Sequence, residues 1–213
     1  MLHELMRKKD SNKITLEKEF LMRFLPTYLL AVIVLLFATI SYADTQKYTL
    51  DPTHTYVQWH VSHFGFSSPS GKWLAEGNLW LDEEKPNNSK LEVTIQLANI
   101  VTGIPKLDNH LKGTDFLDVA QFPTATFKST KIKVAGKNTA KVTGNLTLHG
   151  ITKSIVLTVR LNKLDTNPLS QKRTAGFSAS TTIKRSEFGL GKYTPGVSDT
   201  VTIEIEAEAN KAE

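Results

Sequence analysis

The residues with chemistry to offer are few. His54, His60 and His63 fall within ten positions, a density that invites a metal test. A zinc site needs three or four ligands converging on one point. On a single strand His60 and His63 point to opposite faces, and His54 lies ~20 Å from His60 if the chain is extended. These histidines are therefore expected at the surface or at the mouth of the fold, and no metal site is assigned. Asp108 and His110 lie close in sequence, but no nucleophile elbow of the Gly-x-Ser-x-Gly type accompanies them. They are expected to hydrogen-bond a local insertion to a strand end. Asp115 and Asp118 flank Phe116-Leu117 and read as turn-formers rather than an acid/base pair. No catalytic residue is assigned, and the reading is of a binding protein, not an enzyme. Cysteine is absent, which removes disulfides, thiolate chemistry and a lipid-modified cysteine. The formal charge is only +5 and its signs are interspersed, which argues against a nucleic-acid partner.

The elements that carry these residues are strands. Val142 to Leu161 shows the pattern in full. Val142, Leu146 and Leu148 alternate with Thr143, Asn145 and Thr147. After a break at His149-Gly150, Ile155, Leu157, Val159 and Leu161 alternate with Val156, Thr158 and Arg160. Period-two alternation places the apolar set on one face, and Gly150 accepts the positive φ of a hairpin turn. Elsewhere Val57, Trp59 and Val61 share a face. So do Leu79 and Leu81, within a strand expected from Trp73 to Asp82, and Leu91, Val93, Ile95 and Leu97. Phe64 to Lys72 is expected to be a loop. Pro105 and Gly113 bracket a short helix with Leu107 and Leu111 on one side, followed by a turn that points Phe116 inward. Phe127 and Ile132 lie on opposite parities, which predicts a bulge between Ser129 and Lys131. Phe177 belongs to a further strand, Phe188 to a glycine-rich loop, and Ile203 to the closing strand.

About eight strands and one helical insertion result. Such a meander closes into a barrel around one ligand, or stacks as a sandwich; alternation alone does not separate the two. The apolar positions above, from Val57 to Ile203 and including Phe64, Phe116, Phe127 and Phe188, are the candidates for the interior. Arg185, Lys192 and Tyr193 are candidates for contact with a ligand's polar end. Two competing readings remain: an outer-membrane barrel with its dry face outward, and a barrel filled by its own side chains.

The N-terminal region reads as a leader. Tyr28 to Ile40 is apolar and uncharged, and Ser41-Tyr42-Ala43 supplies small residues at the peptidase positions. A cleavable signal peptide ending at Ala43 is expected, with Met22 a more compact start than Met1. The mature protein, 44–213, would then be periplasmic.

Four segments, in order, resemble the bacterial YceI-like family. They are Leu50-Asp51-Pro52-Thr53-His54; Thr102-Gly103 with Asp108-Asn109-His110-Leu111-Lys112, Asp115-Phe116-Leu117 and Phe122-Pro123; Gly144-Asn145-Leu146-Thr147-Leu148-His149-Gly150-Ile151-Thr152-Lys153; and Phe177 onward through Ile183-Lys184-Arg185 and Phe188-Gly189. The family's usual Gly-x-Phe stands here as Gly71-Lys72-Trp73. The resemblance implies an all-β, eight-stranded, lipocalin-like antiparallel barrel. It implies a polyisoprenoid ligand, of the isoprenoid-quinone or polyprenyl-phosphate type, in an elongated apolar pore, with no other cofactor. Transient membrane contact and a homodimer are compatible with it.

Overall fold

The computed structural model describes residues 45–213. The leader readings, Tyr28 to Ile40 and the Ala43 junction, lie outside the described residues. Ten strand segments form one antiparallel sheet: β1 (Gln46–Leu50), β2 (Tyr56–His60), β3 (Ser70–Leu74), β4 (Glu76–Leu81), β5 (Lys90–Gln96), β6 (Thr124–Gly136), β7 (Thr139–Leu148), β8 (Ile151–Thr166), β9 (Arg173–Lys184) and β10 (Thr200–Lys211). Among the described residues one α-helix, α1 (Pro105–Lys112), interrupts them between β5 and β6.

The ten segments make eight staves. β1 and β2 lie end to end along β10, with Leu50 opposite Ala209 and Tyr56 opposite Glu206. β4 and β3 back them in the same way. β1 therefore pairs with both β4 and β10, and the sheet closes into an eight-strand antiparallel barrel. The first stave is broken because Pro52 has no N–H to give the ladder. The Asp51–His54 excursion is bridged by Thr55, which is buried. Its hydroxyl donates to the Glu208 carbonyl at 3.2 Å and accepts from the Glu208 N–H at 3.3 Å. The strand expected from Trp73 to Asp82 is thus corrected to two, parted at Ala75, whose N–H donates to the Thr55 carbonyl at 3.1 Å. The expected Phe64–Lys72 loop ends early, because β3 begins at Ser70 to pair with His60.

The central hairpin follows the alternation. His149 (φ 51°) and Gly150 (φ 74°) make its two-residue turn. Both central residues lie at positive φ, as a type I′ turn requires. The β6–β7 register shifts between Ser129 and Lys131, so the bulge falls where the parity change places it. Gly144 stands nearby, and a Cβ there would lie 2.3 Å from the Phe127 ring. Phe127 can lie flat against the wall only because that side chain is missing.

Outward and inward faces differ in character. On β10, Thr202, Glu204 and Glu206 face out, while Val201, Ile203 and Ile205 face in. An outer-membrane barrel needs an outward apolar band; the dry face here is the inner one. No helix among the described residues is long and apolar enough to cross a membrane.

Candidate functional site

The inward residues do not fill the barrel. Fully buried side chains gather in three separate clusters: around Trp59, Leu97 and Phe188 near the helix end; around Tyr48, Leu79 and Ala209 at the opposite end; and along one wall at Phe127, Val142 and Leu157. Between them Ile155, Val159, Ile203 and Ile205 point inward yet keep accessible surface. The interior is a cavity of about 750 Å³, inside the ~300–1,000 Å³ range of small-molecule sites. Its lining reaches from the Gly136–Thr139 turn to Leu148 along β7 alone. At the usual strand rise and barrel tilt that is ~20 Å of depth. The second competing reading, a filled barrel, does not match this interior.

The expected lining residues come together well. Val57, Trp59, Val61, Phe64, Leu79, Leu81, Val93, Ile95, Leu107, Leu111 and Phe116 line the cavity, as do Phe127, Leu146, Leu148, Ile155, Leu157, Val159, Phe177 and Ile203. Phe188 is the correction. It is buried in the cluster beside Trp59 rather than lining the cavity. Gly189 (φ 75°) ends its 3₁₀ turn, and the Phe188 carbonyl meets His149 Nδ1 at 3.2 Å. A glycine-rich loop gives no period by which to assign the direction of a phenylalanine.

Two ends close the pore differently. At the helix end, Phe64, His110, Phe116 and Tyr193 form an aromatic mouth. The His110 and Phe116 centroids are 5.1 Å apart, and Phe116 and Tyr193 are 5.8 Å apart. At the far end, Glu83, Ser89, Lys137 and Asn138 form a polar lip. Tyr48, wholly buried, donates to Glu83 Oε1 at 2.5 Å, and Arg173 Nη2 donates to Glu83 Oε2 at 2.8 Å. Burial and the hydrogen bond to Glu83 push the Tyr48 phenol up to about 12. That polar lip went unread in the sequence, because Glu83 lies past the end of the alternation.

The candidate head-group residues sit at the mouth with structural duties. Arg185 is buried and lines the cavity, but its guanidinium donates to the carbonyls of Ser198 (2.9 Å), Val197 (2.8 Å) and Leu190. It holds the last loop in place. Lys192 pairs with Asp115, which holds the lysine above its usual range and the carboxyl below its own. Asp115 is therefore a tie between two loops, not only a turn-former. Asp108 bonds within the insertion rather than to a strand end, accepting from Thr102 N–H at 2.8 Å and Thr102 Oγ1 at 2.6 Å. His110 does not share that task; its ring packs in the aromatic mouth.

The histidines do not converge. His60 faces Gln58 and Glu204, and His63 packs on Phe64. His54 instead meets Asp51 at 2.9 Å, with Glu208 beside them; the three ligand atoms lie within 4.8 Å of one another. Hydrogen bonds from Thr53 and from His54 hold the Asp51 carboxyl down at about 2. This group secures the excursion that breaks the first stave, and two of its three members already satisfy each other.

Comparison with known proteins agrees with this architecture. The family model of the YceI-like domain matches residues 48–209. A UPF0312 protein of Pseudomonas putida strain W619 is 36% identical over 178 residues, covering 83% of this chain and 92% of that protein. Among solved structures, Burkholderia cenocepacia BcnA superposes with a TM-score of 0.68 at 26% identity, covering 75% of this chain and 98% of BcnA. A polyisoprenoid-binding domain from Saccharophagus degradans shares the fold, with a TM-score of 0.61 at 16% identity, covering 78% of this chain and 98% of the domain. With the closed barrel, the hollow apolar interior and a family match over nearly all of the described residues, the chain belongs to the YceI-like domain family.

Proposed function

We propose that the protein binds a polyisoprenoid lipid and carries or stores it, with the hydrocarbon tail lying along the pore. The observation that carries this reading is the shape and chemistry of the interior: long, narrow, and walled by aliphatic and aromatic side chains from every stave. A branched hydrocarbon tail matches such a space. Burial of its surface yields about 25 cal/mol per Å², so affinity needs few polar contacts. The polar ends of the pore suit an amphiphile, of the isoprenoid-quinone or polyprenyl-phosphate type. The fold is shared with a domain named for polyisoprenoid binding. Nothing in the reading requires a catalytic step, a metal or a nucleic acid. The leader expected in the sequence supports a periplasmic carrier, in an aqueous space that such a lipid cannot cross alone.

The test is direct. Protein purified from its producing cells is extracted with organic solvent, and the extract is analysed by mass spectrometry. A stoichiometric isoprenoid is expected. Protein that yields none, and takes up none when offered a prenylated quinone or a polyprenyl phosphate, overturns the proposal.

A further inference from the structure

The mouth exposes more apolar surface than a solvated rim needs. Phe66 is 92% exposed, Phe64 59%, Ile104 57% and Val101 52%, and Tyr193 is nearly half exposed. They come from separate segments that the fold stitches into one end. The Phe64 N–H donates to the Gly196 carbonyl, and a Cβ on Gly196 would strike the Phe64 ring. Lys72 and Val101 exchange backbone hydrogen bonds. Tyr193 packs on Phe116 and His110, at the end of α1. Phe66 is held out by a tight turn. Phe64 (φ 52°) and Gly65 (φ 73°) are its centre, and the His63 N–H donates to the Ser67 carbonyl at 2.9 Å. A bulky residue at positive φ is uncommon and costly, and Tyr193 (φ 64°) repeats the feature across the mouth.

Two lysines flank this patch on the helix. Ile104 is the N-cap of α1, whose exposed Lys106 forms no ion pair among the described residues. Lys112 closes the same helix. Asp108 is turned into Thr102, and Asp115 is taken by Lys192. The exposed Glu187 lies on the 3₁₀ turn that also carries Arg185, and Asp199 accepts from the Ser186 N–H and hydroxyl beside it. A group of exposed apolar side chains with cations nearby, set at the opening of an apolar pore, suits an interaction surface, and aromatic side chains suit the boundary between water and lipid. We infer that the mouth docks on an anionic phospholipid bilayer, with Phe66 and Ile104 set among the head groups and Lys106 and Lys112 against the lipid phosphates. The inference deepens the carrier reading, because docking there would join the pore to the phase in which its ligand dissolves.

The far end supplies the internal control. Leu169 is 94% exposed there, alone in the loop before β9, and Lys137 stands exposed at the polar lip. Because the chain has no cysteine, Phe66→Cys, Leu169→Cys and Lys137→Cys each take a single environment-sensitive nitrobenzoxadiazole dye. The full chain is mixed with vesicles of phosphatidylglycerol and phosphatidylcholine. Residues 1–44 are the same in every variant, so differences between dye positions report which end meets the lipid. The dye at position 66 should brighten and shift to the blue, and those at 169 and 137 should not. Ile104→Ser should weaken vesicle partitioning about tenfold, and added salt should weaken it further. An unchanged dye at 66, or an equal response at 169 or 137, overturns the docking surface. Uptake of a prenylated quinone from detergent solution is measured on the same proteins. Uptake without docking defeats this inference alone; docking without uptake defeats the carrier reading alone.

Discussion

At the scale of single residues, the polar groups of this barrel work for its geometry. The Asp51–His54 pair fastens the excursion that Pro52 forces into the first stave. Asp51 lies at about 2, below its ordinary value of 3.8, so its contribution is complete above the ordinary value and is lost as pH falls through the folded one. The hydrogen bond and charge of Asp51 raise His54 above its usual value, so its share is complete below that value and fades as pH rises through the raised one. The contact is therefore fullest in mildly acidic solution. In an NMR titration, His54 should show a raised midpoint that falls toward the ordinary value in Asp51→Asn, with Glu208 still raising it; an unmoved midpoint would count against the pairing. Tyr48 works at the other end of the barrel. Its raised phenol contributes below pH 10, and that contribution is lost as pH climbs from 10 to about 12. Tyr48→Phe removes a buried hydrogen bond to a carboxylate and should cost about 1.5–3 kcal/mol in denaturant unfolding. A loss near zero would show that Arg173 alone satisfies Glu83.

At the scale of elements, facing is the quantity with consequences. Leu157 lines the pore, while the Thr158 hydroxyl lies outside, accepting from Lys141 Nζ at 2.7 Å. Leu157→Trp should fill space that the tail would occupy and reduce bound isoprenoid while the fold is kept. Thr158→Trp should leave occupancy unchanged, since strands tolerate outward aromatics. Equal occupancy in the two variants, read by mass spectrometry, would contradict the pore; a fall in stability of ~1–3 kcal/mol confined to Leu157→Trp would point to a closed core. The same logic explains what the sequence revealed. Alternation in β7, β9 and β10, and in β8 as far as Leu161, exposes their inward faces residue by residue, and the parity change after Phe127 marks the bulge; a second register shift, between Leu161 and Lys163, turns Leu164 inward. What escaped lies where alternation stops. Ala75 is apolar and on the inward parity, so nothing marks the break between β3 and β4. Phe188 sits in a loop without a period. Arg185 and Asp115 are recognised only through partners that folding brings to them, such as the Leu190 carbonyl and Lys192.

At the scale of the molecule, the barrel is a tube with unlike ends, an aromatic mouth and a lip tied by Tyr48, Glu83 and Arg173. Alternation alone left barrel and sandwich open; the choice rests on β1 meeting both β4 and β10, a pairing between the two extremes of the described chain. That closure also has a kinetic meaning. Tyr48 waits for Lys211, and Trp59 waits for Ile203. Contacts of such sequence separation form slowly, because loop closure must precede them. Until β10 is present, the edge of β9 and the outer edge of the β1–β2 stave both stand open, and open edges invite pairing with other chains. The arrival of β10 thus ends the period in which the barrel's edges are open to aggregation, and a chain cut before Thr200 would leave an open sticky sheet rather than a shortened barrel.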